Sequence, residues 1–453
     1  MRRSATPLPT VRNCGAVVVI LRTSKDFGSD PLAIARPTIL QIIPRLDTGG
    51  AELSTLEITE AIVRAGGRAL VATHGGRMVG GVTHAGGEIV RMAVGTKNPL
   101  GMLVNARALQ RLVKSERIDL LHARSRAPAW SALLAARRMG TPFVTTYHGA
   151  YAERSQLKRL YNSVMARSDV VIANSAYTAD LIRTRYAMSS ERIRVIHRGI
   201  DPVQFDPAAV DGGRVAAIRK QWGIATDARV ILHPARLTGW KGQMTVIEAA
   251  GLLRARELLG NEIVILAGDA QGRDDYLRTL RERIAALDLN DHVRLVGHVE
   301  DMPAALRLAH VTVVASTEPE AFGRVTIEAQ SMCSPVIATR IGAPPETVLA
   351  EPSLPADQIT GWLVPPGDAT MLAEQIAVAL SVPAQERADL GKRARLHVLD
   401  HFTLDAMKRA TLEVYDRLLG SDLARRFATG NPPESLRPRP EDRLDLHGLV
   451  ADS

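Results

Sequence analysis

Cysteine is almost missing from this chain: Cys14 and Cys333 are the only two among 453 residues. One pair so far apart makes no disulfide framework, and points to a reducing, cytoplasmic compartment. Aromatic residues make up 4%, too few for a stacking platform that would hold single-stranded nucleic acid. No uninterrupted apolar run reaches the ~20 residues of a membrane span. Ala16-Val-Val-Val-Ile-Leu21 is short, and no small-residue cleavage site clearly follows it. There is no Asp-x-Asp run and no His/Cys cluster, so no metal site is expected. G-x-G-x-x-G does not occur, so the longer dinucleotide fingerprint is missing too.

What is present is an ordinary globular composition, 46% apolar and 23% charged. The length suggests two or three domains at ~100–200 residues each. The net charge is +9. That balance is compatible with nucleic acid, anionic lipid or phosphorylated ligands, and equally with a genome that favours arginine codons.

From Pro37 a strand-then-helix pattern repeats. Thr38–Pro44 reads as a strand and Ala51–Arg64 as a helix. Further strands are expected at Ala69–Thr73, Ile89–Val94, Leu120–Ala123, Phe143–Tyr147, Val170–Ala173 and Arg194–His197. The break at Asp201-Pro-Val-Gln-Phe-Asp-Pro207 and Asp211-Gly-Gly213 reads as a linker. The alternation then restarts, with strands at Val230–His233, Ile263–Ala267, Val293–Val296, Val311–Ala315, Pro335–Ala338 and Trp362–Val364. Continuous apolar runs separated by helices predict parallel sheets buried on both faces, an α/β fold in two halves facing across a cleft. The expected boundaries are an unordered basic extension over 1–36, domains over 37–205 and 206–402, a terminal helix within 403–420 and a solvated tail over 421–453.

The most informative stretch is Glu320-Ala-Phe-Gly-Arg-Val-Thr-Ile-Glu328. It links an apolar strand to a helix, at the sheet edge where open α/β folds bind ligands. Glu320 falls in the loop and Glu328 just inside the helix. Each has a bland alternative, a polar loop residue and a solvated helix face. Other strand-end loops aim at the same edge. His233-Pro-Ala-Arg236-Leu-Thr-Gly-Trp-Lys241-Gly242 offers a planar fork in Arg236 and a point charge in Lys241, the two usual ways to neutralise phosphate. Gly49-Gly50 at a helix start suits an anion, or is simply a tight turn. Gly268 permits close backbone approach, and Val299 could offer backbone groups to a flat base. His148, at a strand end, could donate to a reacting or recognised group, though a lone histidine is more often structural. Two carboxylates in this setting fit sugar hydroxyls better than a metal.

Arg236…Lys241 followed by Glu320-x7-Glu328 resembles the retaining glycosyltransferases of the GT-B fold, with two Rossmann-like domains, often called glycosyltransferase family 4. The resemblance covers nearly everything between the two tails and includes Gly49-Gly50, His148, Gly268-Asp269 and Gly342…Glu346. It implies an enzyme of EC class 2.4, of hexosyltransferase type, taking a UDP- or GDP-linked sugar as co-substrate, with no other cofactor. Arg236 and Lys241 would hold the donor pyrophosphate and Glu328 the ribose. Glu320, with the Phe322 and Gly323 backbone, would hold the donor sugar. The N–H groups of Arg324 and Val325 would meet a phosphate. Gly50 would close over it from the other domain, and His148 would touch the sugar near the reacting carbon. The chain departs from the pattern at Gly342-Ala-Pro-Pro-Glu346, where a second glycine is usual.

The acceptor is expected to be a glycan or a lipid-linked glycan of cell-surface polysaccharide or lipopolysaccharide synthesis. Arg154–Arg167 carries Leu157, Leu160, Tyr161 and Val164 at helical spacing among Arg154, Lys158, Arg159 and Arg167. Such a helix lies on an anionic membrane surface, as a peripheral protein would, or turns its stripe to the core. Two rival readings remain, a GT-B sugar-nucleotide epimerase and a non-catalytic sugar-nucleotide-binding protein.

Overall fold

The computed structural model describes residues 36–47, 49–149, 151 and 155–430. The extension expected over 1–36 lies outside them except for Arg36.

Seven strands form the first sheet: β1 (Thr38–Ile42), β2 (Arg68–Thr73), β3 (Glu88–Arg91), β4 (Leu120–Ala123), β5 (Phe143–Tyr147), β6 (Val170–Ala173) and β7 (Ile193–Val195). Six form the second: β8 (Arg229–Pro234), β9 (Glu262–Ala267), β10 (Val293–Gly297), β11 (Val311–Val314), β12 (Val336–Thr339) and β13 (Trp362–Val364). The strand orders are β3-β2-β1-β4-β5-β6-β7 and β10-β9-β8-β11-β12-β13. Every pairing is parallel. Both halves are therefore Rossmann-like sheets, as the sequence predicted.

The interior strands β1, β4, β5, β6, β11 and β12 are buried along their whole length. The outer strands β3, β7 and β13 are only partly so. This is why the inner strands read as continuous apolar runs. Successive side chains serve opposite faces. Leu40 and Leu121 join one core, and Ile39 and Leu120 the other. In the second sheet Val230 and Leu232 separate from Ile231 in the same way.

The chain crosses back to the first sheet near its end. The Ile200 N–H donates to the Phe402 carbonyl at 2.9 Å, and Leu404 N–H donates to the Ile200 carbonyl at 2.7 Å. The helix Leu404–Leu419 then lies against the helix Gly50–Arg64. Its Tyr415 is fully buried, with its hydroxyl 2.6 Å from His122 Nδ1; His122 Nε2 lies 2.7 Å from Thr146 Oγ1.

Two expectations need correction. The solvated tail does not begin at 421. Leu423–Thr429 is a helix whose Leu423, Ala424 and Phe427 are buried in the same core as Tyr415. The Asp416 carboxylate accepts from the N–H groups of Leu423 and Ala424 at 2.7 and 2.8 Å, and the Arg64 guanidinium sits 4.4 Å over the Phe427 ring. Three apolar residues on one short face pack this helix against the helices Leu404–Leu419 and Gly50–Arg64. Residues 431–453 lie outside the described residues. Likewise Asp211-Gly-Gly213 is not linker. Asp211 Oδ1 accepts from Arg214 N–H at 2.8 Å and caps the helix Gly212–Trp222.

Tyr415→Phe keeps the ring but leaves His122 Nδ1 without its partner in a dry interior. The expected loss is about 1–3 kcal/mol of stability, read as a lower urea midpoint; an unchanged midpoint would show that this bond contributes nothing.

Candidate functional site

In each sheet the strand order reverses once, between β1 and β4 and between β8 and β11. Crevices open at such switch points, outside the carboxyl ends of the strands. At the second one, the loop after β8 carries Arg236 and Lys241, and the loop after β11 carries Ser316 and Glu320. A cavity of about 310 Å³ lies there, lined by Gly50 from the first half and by His233, Arg236, Lys241, Ser316, Glu320, Arg324 and Val325 from the second.

The loops come this close because glycines allow it. A Cβ on Gly242, at φ +79°, would lie 1.8 Å from the Ala315 carbonyl oxygen, and one on Gly268 would lie 1.9 Å from that of Ala235. Within the cavity, Lys241 Nζ donates to Glu320 Oε1 at 2.5 Å, and Ser316 Oγ donates to the same oxygen. Both charged side chains are largely buried, 16% and 9% exposed. Lys241 Nζ also lies 4.3 Å from the centre of the Trp240 ring. Arg236 is different: it is exposed at the lip, and its guanidinium has no partner among the described residues. The helix Arg324–Ser331 starts after Gly323, at φ +79°, with no side-chain cap. The N–H groups of Arg324 and Val325 therefore remain open to a ligand, at the positive end of the helix. Two cations and a bare helix start converge on one cavity, an arrangement suited to a diphosphate.

In the first half His148 follows β5, and its Nδ1 accepts from the Arg198 guanidinium at 2.5 Å. Its Nε2 is buried without a partner. Burial first, then Arg198 and Arg124, hold the imidazole well below its ordinary pKa. His148 is thus neutral, with its proton on Nε2 free to donate. Arg198 also donates to Ser54 Oγ at 2.5 Å. Burial, with Arg124 nearby, lowers Arg198 to about 9, so it stays charged at neutral pH.

Arg324 crosses between the halves. Its Nη1 lies 3.1 Å from Glu57 Oε1 in the helix Gly50–Arg64, and its Nε lies 3.4 Å from Glu328 Oε1. Burial opposes the Arg324 charge but is outweighed by Glu57 and Glu328, and its pKa is raised. Burial raises the Glu328 carboxyl, against the pull of Arg324. Glu57 is 6% exposed, and its Oε2 is buried without a partner.

Of the residues singled out by sequence, the cavity brings together Gly50, Arg236, Lys241, Glu320, Arg324 and Val325. Gly49 caps the helix that starts at Gly50. Gly268 packs against the Arg236 loop. Phe322 is buried against His197 and Phe402, 5.9 and 6.0 Å between ring centres. Val299 is buried in the core of the second half. Glu328 is engaged with Arg324, one turn along the helix. None of Gly49, Gly268, Val299, Phe322, Gly323, Glu328 and His148 lines the cavity itself. Sequence reasoning missed His233, Ser316, Glu57 and Arg198. His233 is visible only in part: it ends β8 beside Arg236, and a strand-end signal flags the loop without saying which side chains turn inward. Burial lowers its pKa to about 4. Among the described residues no group of three or more His, Cys, Asp or Glu stands close enough to hold a metal ion.

The predicted basic amphipathic helix over 154–167 is also corrected. The helix is shorter, Gln156–Asn162, and a 3-10 turn, Ser163–Ala166, follows it. Asn162 Oδ1 accepts from Arg126 at 2.7 Å, and the Tyr161 carbonyl accepts from Trp130 Nε1 at 3.2 Å, which ties down its end. The stripe is divided: Val164 is fully buried, whereas Leu157 and Leu160 are 80% and 53% exposed.

Two Rossmann-like halves facing across a cleft, with cations and a bare helix start at the switch point, define a GT-B glycosyltransferase. Family models agree: "Glycosyltransferase Family 4" matches residues 48–204 and "Glycosyl transferases group 1" matches residues 215–397. The chain is similar to the D-inositol 3-phosphate glycosyltransferase of Salinispora arenicola, 30% identical over 315 residues, which span 66% of this chain and 68% of that one. Among solved structures, a glycosyltransferase from Rickettsia africae superposes with a TM-score of 0.77 at 31% identity, covering 85% of this chain and 99% of that one. Anabaena HepE, solved with UDP and glucose, superposes at 0.71 with 25% identity, covering 83% and 99%. The chain belongs to glycosyltransferase family 4, and is a transferase of EC class 2.4.

Gly242→Ala tests how the cavity is built. The added methyl collides with the Ala315 carbonyl and takes up a left-handed backbone, so about 2 kcal/mol or more of stability should be lost. Thermal unfolding reads this directly, and wild-type stability would show that the loop can give way.

Proposed function

We propose that the chain transfers a sugar from a UDP- or GDP-linked donor to a glycan or lipid-linked acceptor, retaining the anomeric configuration and without metal. The observation that carries this reading is the Lys241–Glu320 pair at the switch point, beside the unpaired Arg236 and the bare start of the helix Arg324–Ser331. HepE, which was solved with UDP-glucose at 25% identity, supports a nucleotide-sugar donor, and UDP-glucose is the natural first probe.

The chemistry follows from where charge develops. The bond between the sugar's anomeric carbon and the phosphate oxygen breaks, the carbon gains oxocarbenium character, and the nucleoside diphosphate leaves with the electron pair. Arg236, Lys241 and the N–H groups of Arg324 and Val325 stand where that negative charge grows. One such preorganised interaction is typically worth ~3–4 kcal/mol. Glu320 accepts from sugar hydroxyls and the neutral His148 donates from Nε2. Glu328 accepts from the ribose hydroxyls, which compete for it with Arg324. Gly50 closes over the phosphate. Gly49, Gly268, Val299, Phe322 and Gly323 shape the donor site from its edges. The acceptor hydroxyl attacks on the face the diphosphate leaves, and its proton passes to a phosphate oxygen.

The acceptor side faces the first half. Leu157 and Leu160 are exposed there, and their neighbours Lys158 and Arg159 are exposed too. Exposed leucines among cations suit a peripheral contact with an anionic membrane, which fits an acceptor in polysaccharide or lipopolysaccharide synthesis. Among the described residues no helix is long and apolar enough to cross a membrane.

Two experiments test this. A thermal-shift screen of sugar nucleotides, followed by turnover with EDTA present, should show stabilisation and release of nucleoside diphosphate that depends on acceptor. Glu320→Ala should lose turnover by about 10²-fold or more and keep diphosphate binding within a few-fold. An inverted anomer in the product NMR spectrum, a need for added metal, or free-sugar products without acceptor would each overturn the reading. Separately, the protein should sediment with anionic vesicles at low salt, and Leu157→Ser/Leu160→Ser should weaken this several-fold; wild-type failure to sediment would sink the membrane contact.

A further inference from the structure

We infer that Glu346 is a positioning residue for transfer: it caps a helix of the other half and thereby fixes the loop that carries Glu320. The inference rests on the donor-site reading of Glu320 given above.

Glu346 lies in the short helix Pro344–Thr347, after β12. Its two carboxylate oxygens accept from Ala176 N–H and Tyr177 N–H, each at 2.7 Å. These are the first two residues of the helix Ala176–Tyr186 in the first half. The next N–H, of Thr178, is taken by the Ser175 hydroxyl at 3.0 Å. A carboxylate from the second half thus completes the cap of a helix in the first, with the helix dipole favouring its charge. Its Oε2 also lies 3.0 Å from His197 Nε2. His197 follows β7, and its ring touches both Phe322 and Phe402, 5.9 and 5.3 Å between centres.

The connection to Glu320 is short. The Ala343 N–H donates to the Glu320 carbonyl at 2.9 Å, and Gly342 pairs with Glu320 in an isolated bridge. Gly342 must be glycine there, because a Cβ at its φ of +77° would lie 2.4 Å from the Glu320 carbonyl oxygen. From the other side, Thr178 Oγ1 donates to the Ala321 carbonyl at 3.3 Å. The Glu320–Phe322 loop is therefore clamped between the Ala176 helix and the Gly342 turn, and Glu346 joins the two. The helix Pro344–Thr347 does reach the first turn of the helix Arg324–Ser331, where Thr347 Oγ1 lies 2.8 Å from Thr326 Oγ1, but none of these contacts touches Arg236 or the N–H groups of Arg324 and Val325. Loss of the clamp should misplace Glu320 and leave diphosphate binding in place.

Two variants from opposite sides of the contact make the test. Glu346→Gln keeps the shape but turns an NH₂ group toward one of the two N–H donors. Ala176→Pro removes one donor; proline is accommodated at a first helical position, and Ser175, at φ −161° and ψ 162°, already has the extended backbone a residue before proline takes. Each variant should lower kcat for UDP-glucose, or for whichever sugar nucleotide the wild type turns over, by roughly tenfold or more, with UDP affinity kept within about threefold. The double variant should be no worse than the weaker single, because both break one contact. Additive losses, an unchanged kcat, or UDP affinity falling in step with kcat would overturn the inference. If the wild type takes no sugar nucleotide, the donor reading fails by itself. The clamp is then read by amide exchange at Tyr177, which should quicken in Glu346→Gln; unchanged exchange would overturn it.

Discussion

Parallel pairing in both sheets is the constraint on which everything else depends. It sends every strand's carboxyl end, and the start of every following helix, to one edge, and the two edges face each other. Helix starts carry N–H groups with no partner inside the helix. How each start is satisfied separates structure from function here. The helices that begin at Gly50, Gln243 and Arg324 have glycine caps with no side-chain acceptor. All three open beside the same group of loops. The helix that begins at Ala176 is fully served, by Ser175 from its own half and Glu346 from the other. Bare starts leave room for an anionic ligand; the capped start holds the halves together.

Beneath that edge runs a buried set of charges. Arg124 is 2% exposed and, among the described residues, bonds only the Gln41 amide oxygen, with Nε at 3.0 Å. Arg198 bonds a serine and a histidine. Arg324 alone reaches carboxylates, Glu57 and Glu328. Guanidinium groups tolerate such sites because they are weakly hydrated and stay charged. Arg124 and Arg198 have one clear effect, which is to keep His148 and His122 unprotonated on top of what burial does. A histidine meant to donate without carrying charge needs such neighbours.

Much of the fold was legible in the sequence, because buried parallel strands are continuous apolar runs and the breaks between them are polar. β4, β5, β6 and β13 match their expected bounds residue for residue. The cavity was legible in part for a related reason: Arg236, Lys241 and Glu320 lie close to strand ends, and strand ends share an edge. What escaped depends on partners far away in the chain. Glu346 meets Ala176 across 170 residues, and nothing local in Pro-Pro-Glu-Thr announces a cap for another helix. Glu57 reads as an ordinary helix-face residue until Arg324 arrives opposite it. The helix Leu423–Thr429 escaped because about two turns carry too few apolar residues to show a period, although Leu423 and Phe427 are enough to anchor it. The stripe at 154–167 had the period but not the continuity, since Asn162 and the Tyr161 carbonyl are held by the neighbouring helix.

The Lys241–Glu320 pair carries the last step of the argument. A buried ion pair is weak evidence of stability, because desolvation offsets much of the attraction. Here Ser316 adds a second donor to the same Glu320 oxygen, leaving Oε2 without a side-chain donor among the described residues, while an ammonium has three N–H groups. Lys241 can therefore meet an incoming diphosphate without releasing Glu320. On the proposed reading, the pair holds Glu320 in place for the sugar before the donor arrives, so its ordering cost is met in folding and not in each turnover. The neighbouring Arg236, unpaired at the lip, is the group with freedom left to move onto the phosphate. On that reading a fixed cation and a free one, on a single loop between the β8 end and Gly242, divide positioning from capture.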